Sequence, residues 1–442
     1  MRGHRRIITA LGAVVLAAGV VAGCGDDDNG SSGASTAAEG SDSVKGNVAV
    51  VGVWTGDEQK SFQAVLDAFQ DRYPNVKVRY TAAGDNTPTV LSTAVEGGDP
   101  PDVAAVAQPG LVRDFQRKKA LKPVAFAQDT LNAQYPKDIV SLGEINGQLY
   151  SYVFKAANKS TVWFNVQAFS DAGVQPPEDW DGFLGNAKTL QASGTPAYSI
   201  GGADGWTLTD LFENIYLRQA GPEKYDQLTD HEIPWTDPSV KQALTTMGDV
   251  LGDTKNIRGG TSGALQTEFP ASVEAVFSEN PKAAQVIEGD FVPGVVAESN
   301  KLEPGTGFDV FPFPAIGGAK NVVVGGGDSI IMFKDTPASR ALVEFLTTKE
   351  AHEAWAKRGG FSSPNTEVDA GVYPDDITRK TATAIAGADT FRFDMSDLAP
   401  VDFGGTPGQG EWKILQDFLQ NPSDVNGTAS RLETSAKKAY GN

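Results

Sequence analysis

The sequence predicts a two-lobed α/β protein, and three observations carry that prediction. The chain has 442 residues, more than one hydrophobic core usually organises, so two lobes are expected. From Asn47 onward the apolar pattern runs strand, helix, strand, helix, strand, which is the signature of a mostly parallel sheet. Residues 150–165, YSYVFKAANKSTVWFN, then read as a strand, a polar break and a second strand. A polar bridge of that kind suits a crossing from one lobe to the other.

Taken in order, the chain opens with Arg2, Arg5 and Arg6 ahead of an apolar run over residues 7–21. That run has the length of a signal peptide and is short for a membrane span. Val21-Ala22-Gly23 then precede Cys24, the single cysteine. The stretch resembles a bacterial lipobox, which implies loss of residues 1–23 and lipid attachment at Cys24, leaving the protein anchored on the extracytoplasmic face of the cell membrane. Acyl chains add about 0.8 kcal/mol of membrane affinity per buried CH₂, so more than one chain holds a protein firmly. Residues 24–46 carry almost no large apolar side chains and read as a flexible tether.

Residues 47–54 form an apolar strand ending at Trp54. A helix follows with Phe62, Val65, Leu66 and Phe69 on one face, and Asp57 and Glu58 in its first turn. Residues 76–80 alternate as a second strand, Thr87-Pro88 starts a helix, and residues 102–106 make a third strand. Ligands bind beyond the carboxyl ends of such strands, where Trp54 and Gln108 lie. After the crossing, helices are expected over 179–192, from Leu208, from Pro238 and over 265–278, with a short strand at 283–287. Residues 308–311 and 322–333 return as strands. The second of these is interrupted by Gly325-Gly326-Gly327-Asp328, a backbone that something must approach closely. Helices over 337–346 and 349–357 complete the pattern.

Charge and residue census narrow the function. The net charge is −19, so nucleic acid is a poor partner, and the folded body has no basic surface for an anionic membrane. His231 and His352 have no second histidine or cysteine at metal-ligand spacing. Serine and cysteine nucleophile motifs, P-loops and dinucleotide fingerprints are absent, and no cofactor is expected. Carboxylates and aromatics remain, which suit a glycosidase or a carbohydrate-binding cleft. Pyranose faces stack on aromatic rings, while their hydroxyls need planar or charged partners. Trp54, Trp163, Trp206, Phe291 and Phe361 stand at strand ends or glycine-rich loops, near Asp57, Glu58, Asn158, Asp204, Asp290 and Asp328. For any one tryptophan, packing in a core is the commoner role.

Residues 53–58 (VWTGDE), 98–102 (GDPPD), 147–150 (GQLY), 287–289 (IEG), 324–328 (VGGGD) and 359–364 (GGFSSP) follow one another in a telling order and spacing. The chain resembles the family 1 extracellular solute-binding lipoproteins of bacterial ABC sugar importers over essentially all of residues 47–442. Residues 203–208 (ADGWTL), 391–394 (FRFD) and 403–410 (FGGTPGQG) look most like its α-glucoside-type branch. The resemblance implies a type II periplasmic-binding-protein-like fold, with a ligand cleft between lobes joined by three crossing segments. The first lobe is expected at 47–155 and 308–348, and the second at 160–305 and 360–442. Carried over by position, Trp54, Glu58, Gln108 and Asp328 would line the cleft from the first lobe. Trp163, Trp206, Glu288, Asp290, Phe291 and Phe361 would do so from the second, with Arg392 and Asp394 beyond them. Lys155, Asn158 and Lys159, in the crossing, face the same space. The implied function is non-enzymatic capture of an α-linked disaccharide or short oligosaccharide by a monomer that hands it to permease subunits. A lipid-anchored glycosidase and a binder of a polyol or other non-sugar solute are the competing readings.

Overall fold

The computed structural model describes residues 41–299, 302–385 and 387–441. The expected signal peptide, the lipidation site Cys24 and the tether up to residue 40 lie outside the described residues. The strands are β1 (Gly46–Gly52), β2 (Val76–Ala82), β3 (Val103–Val106), β4 (Glu144–Ile145), β5 (Gln148–Leu149), β6 (Ser151–Asn158), β7 (Thr161–Asn165), β8 (Gln285–Ile287), β9 (Phe308–Pro312), β10 (Val322–Met332) and β11 (Thr390–Phe393).

Strands β2, β1 and β3 pair in parallel, joined by the helices Gly56–Arg72 and Thr87–Glu96. Phe62, Val65, Leu66 and Phe69 are buried on one face of the first helix, as their spacing requires. The sheet is mixed, with three parallel pairings and two antiparallel ones. Strand β10 enters from the other end and runs antiparallel to both β3 and β6, while β11 pairs in parallel with its first residues. A strand returning from a second lobe arrives reversed, and the βαβ pattern of the first lobe gives no sign of it.

The second sheet has the order β8-β7-β9 and is antiparallel throughout. The helices Trp180–Ala192, Trp206–Thr229, Pro238–Leu251, Gly410–Gln420 and Val425–Tyr440 pack their apolar faces together beside it. The helix expected over 265–278 is shorter, Phe269–Val276, and is started by Pro270. Two expected boundaries also move. Phe308–Pro312 pairs with β7 rather than joining the first lobe, because Phe308 and Val310 complete a core around Trp163. Phe361 and Tyr373 pack in the core of the first lobe, not the second.

The glycine run of β10 is approached closely, but by the chain itself. A Cβ at Gly326 would lie 2.8 Å from Cε of Lys159, one at Gly327 would lie 2.7 Å from the Lys155 carbonyl, and one at Gly325 would meet the Phe391 ring. His352 is fully buried, with Tyr135 Oη 2.7 Å from Nε2 and Ser363 Oγ 2.8 Å from Nδ1. Burial pushes its pKa down to about 3. Among the described residues no helix is long and apolar enough to cross a membrane.

Candidate ligand-binding cleft

Strand β6 sets the floor of the site. The Lys155 ammonium meets Glu58 Oε1 at 2.7 Å and Asp328 Oδ2 at 3.8 Å. Burial alone would lower the Lys155 pKa, but Glu58 and Asp328 outweigh it and hold the group charged. Asp328 also accepts the indole N–H of Trp54 at 2.6 Å, and the Trp54 carbonyl accepts from Tyr80 Oη at 2.9 Å. Four residues on, Lys159 reaches Asp394 at 2.5 Å, Asp210 at 3.1 Å and Asp397 at 3.6 Å. Its pKa is held well above the usual range in the same way, with burial opposed by those three carboxylates.

These two lysines open onto a cleft of about 500 Å³. Val53, Thr55, Glu58, Gln108, Asp328 and the loop 83–86 form one wall. Ala203, Asp204, Trp206, Glu268, Phe269, Pro270, Phe291, Asp397, Pro407 and Trp412 form the other. Three rings converge on this second wall: Trp206 lies 5.3 Å from Phe269 and 6.0 Å from Phe291, and Phe269 lies 5.3 Å from Phe291. Lys159 stands 5.8 Å over Trp206 and Lys155 stands 5.3 Å over Phe291, so each ammonium touches an aromatic face. Local sequence explains how Trp206 gets there. It is the first residue of its helix, and Gly205 before it adopts φ +85°, where a Cβ would lie 2.7 Å from that of Trp412. Gln416 Nε2 ties down the preceding loop through the Gly202 and Ala203 carbonyls, each at 2.9 Å.

Of the residues expected from the sequence, Glu58, Gln108, Trp206, Phe291 and Asp328 come together here, with Lys155 and Lys159. The others do not line the cleft. Trp54 is fully buried between Phe62 and Trp355, at 4.6 and 4.9 Å, and acts by fixing Asp328. Trp163 is fully buried in β7, donating to the Gly289 carbonyl at 3.0 Å. Phe361 stacks on Trp355 within the first core. Asn158 is buried and uses its Oδ1 to accept from the Ser160 amide at 2.9 Å. Asp290 accepts the Ser362 hydroxyl, and burial pushes its pKa up to about 6. Glu288 is buried away from the opening, and burial followed by repulsion from Asp210 raises its pKa well above the carboxylate range. Arg392 lies at the surface on β11, pairing with Asp226 at 2.6 Å. Asp394 is buried as the partner of Lys159 rather than exposed to the cleft.

The sequence reading did not select Phe269, Trp412, Asp85 or Asp397. Trp412 stands two residues after Gly410, which like Gly205 has positive φ, and a glycine shortly before an aromatic was the available signal. Two polar atoms in cleft-lining residues are buried and without a partner among the described residues, Gln108 Oε1 and Trp412 Nε1, in residues 6% and 3% exposed. An acceptor and a donor left open in this way await a ligand hydroxyl or water. Among the described residues no three His, Cys, Asp or Glu side chains are arranged to hold a metal.

This geometry can be set beside known proteins. The chain is 32% identical to the osmoprotective compounds-binding protein GgtB of Synechocystis sp., over 86% of the chain and 90% of that protein. It is also 32% identical to the alpha-glucosides-binding periplasmic protein AglE of Rhizobium meliloti, over 86% and 85%. Its fold is similar to the bacterial solute receptor AcbH (TM-score 0.77, 19% identity, 90% of this chain and 100% of that one). The raffinose complex of RafE is similar too (TM-score 0.72, 18% identity, 90% and 100%). These matches show the two-lobed type II α/β fold. The family model for bacterial extracellular solute-binding proteins matches residues 52–353, and the chain belongs to that family.

Proposed function

We propose that the protein is the sugar-capturing component of an ABC importer, closing its lobes on an α-glucoside disaccharide or short oligosaccharide and presenting it to the permease. The convergence of Trp206, Phe269 and Phe291 on one wall, opposite Glu58, Gln108 and Asp328 on the other, carries this reading. A pyranose slotted between them stacks its C–H face on the rings and bonds its hydroxyls to the carboxylates and the open Gln108 and Trp412 groups. Charge in the cleft supports a neutral ligand, since both lysines are already paired with acids. The 32% identity to the alpha-glucosides-binding AglE supports the choice of glucoside, while the equal identity to GgtB supports an osmoprotective compound as the second reading.

Capture takes place without turnover in this reading, by a monomer held at the membrane through lipid on Cys24. Calorimetry across trehalose, maltose, sucrose, isomaltose and neutral polyols tests the ligand; saturable binding to one glucoside is the expected result, and silence to all of them would sink it. Release of free monosaccharide from any bound glycoside would favour a glycosidase instead. The Cys24→Ser variant should leave the membrane fraction. Retention there would remove the anchor from the proposal.

A further inference from the structure

A second, smaller cavity of about 110 Å³ lies where both links between the sheets run together. Asn158, Ser160 and Thr161 come to it from the β6–β7 link, and Phe311 to Phe313 with Asn321 to Val323 come from the β9–β10 link. Lys380 and Thr381 of the helix Asp376–Ala384 close its side. In a chain with 56 acidic residues, none of the described residues lining this cavity is Asp or Glu. The nearby Asp389 is occupied by the Asn321 amide at 3.2 Å.

Arg218 gives the cavity its character. It is 7% exposed, yet no carboxylate among the described residues pairs with it. Its Nη1 donates to Asn214, at 3.1 Å to the carbonyl and 3.0 Å to Oδ1, and its Nη2 donates to the Val322 carbonyl at 2.6 Å. The Phe313 ring lies 4.7 Å from its Cζ. Its Nε has no hydrogen-bond partner among the described residues. A buried guanidinium compensated only by carbonyls and a ring is short of negative charge, and burial accordingly draws its pKa down to about 9. The edge formed by Nε and Nη2 is the one that grips planar or tetrahedral oxyanions in a fork. Lys380, exposed at the side of the cavity and without an acidic partner among the described residues, adds a second positive charge.

We infer that this cavity is a second site, separate from the sugar cleft, which binds a small oxyanion against Arg218 and Lys380. The cavity has room for a phosphate or a short carboxylate. Because the walls are the segments linking the two sheets, an anion here ties those segments together.

The test is calorimetric titration of the full chain with inorganic phosphate and, separately, acetate, at constant ionic strength and without sugar. Saturable binding of either is expected, and whichever binds more tightly identifies the oxyanion as phosphate-like or carboxylate-like. Arg218→Met should abolish it. Lys380→Glu, an exposed change that spares the core, should weaken it at least fivefold, and it decides the matter alone if the Arg218 variant does not fold. No saturable heat with either anion, or undiminished binding in Lys380→Glu, would overturn the site.

Discussion

Lys155 on β6 and Lys159 just past its end stand four residues apart, and each is neutralised by a different lobe. Lys155 meets Glu58 and Asp328, both at the cleft wall, with Glu58 35% exposed. Lys159 faces Asp210, Asp394 and Asp397, and Glu213, Glu288 and Glu411 are buried in the same region. The first network is close to charge balance. The second has one ammonium among six carboxyls, so most of them must keep their protons. Burial first, and mutual repulsion second, pushes Glu213, Glu288 and Glu411 well above the carboxylate range. It pushes Asp210 up to about 7. Burial favours the protonated form of Asp394 too, but Lys159 outweighs it and holds this pKa low. The lesson is that one hinge strand can join a wetted, adjustable wall to a dry one whose integrity depends on a single lysine.

The sharpest way to break this contrast is to remove each lysine. Lys159→Met should cost about 3–5 kcal/mol in urea unfolding, the usual penalty for orphaning buried charge. Lys155→Met should cost only about 1–2 kcal/mol, because solvent screens its partner. Equal losses would erase the distinction. In the cleft itself, Trp206→Ala should weaken sugar binding at least tenfold, or about 1.4 kcal/mol, in calorimetry. Trp163→Phe, in the core behind it, should leave affinity unchanged; the reverse pattern would exchange their roles.

The two lobes should also respond oppositely to pH, by on the order of 1 kcal/mol per group for each pH unit between the folded and unfolded pKa. His352 has a folded pKa of about 3 against an ordinary 6.5. Its contribution is therefore present above about pH 6.5 and lost as pH falls toward 3. Asp210 is raised to about 7 from 3.8, so its contribution is present below about pH 4 and lost as pH rises through 7. Unfolding measured at pH 4, 5.5 and 7 should show His352→Gln flattening the acid side and Asp210→Asn the neutral side, and unchanged slopes would refute the assignment. The smallest effect is expected at Arg392→Ala, which removes a surface pair. Less than 1 kcal/mol of stability and no affinity should be lost.

The elements that carry strong local periodicity were legible in the sequence. Phe62, Val65, Leu66 and Phe69 specify their helix, and the apolar start of residues 150–165 marks β6. Aromatic roles were not legible to the same degree. Trp54 at the end of β1 and Trp206 at the start of a helix are both flanked by glycine and acid, yet one is sealed by Trp355 and the other opens to the cleft. What seals Trp54 comes from some three hundred residues away, so no local pattern could report it. Trp412 was missed for the complementary reason, since its cleft position is created by Gly205 in a distant loop.

Strand β10 has a consequence in time. It supplies the partner for β3 on one edge and β6 on the other, so the first sheet lacks its central member until residue 332 has been made. During synthesis the parallel trio β1, β2 and β3 waits with an unpaired edge while about half the chain is added. Closure across that sequence distance is slow, and an open edge invites pairing with other chains. The lobe that begins first is therefore finished late, and the interval before β10 arrives is when a holding factor matters most to this protein.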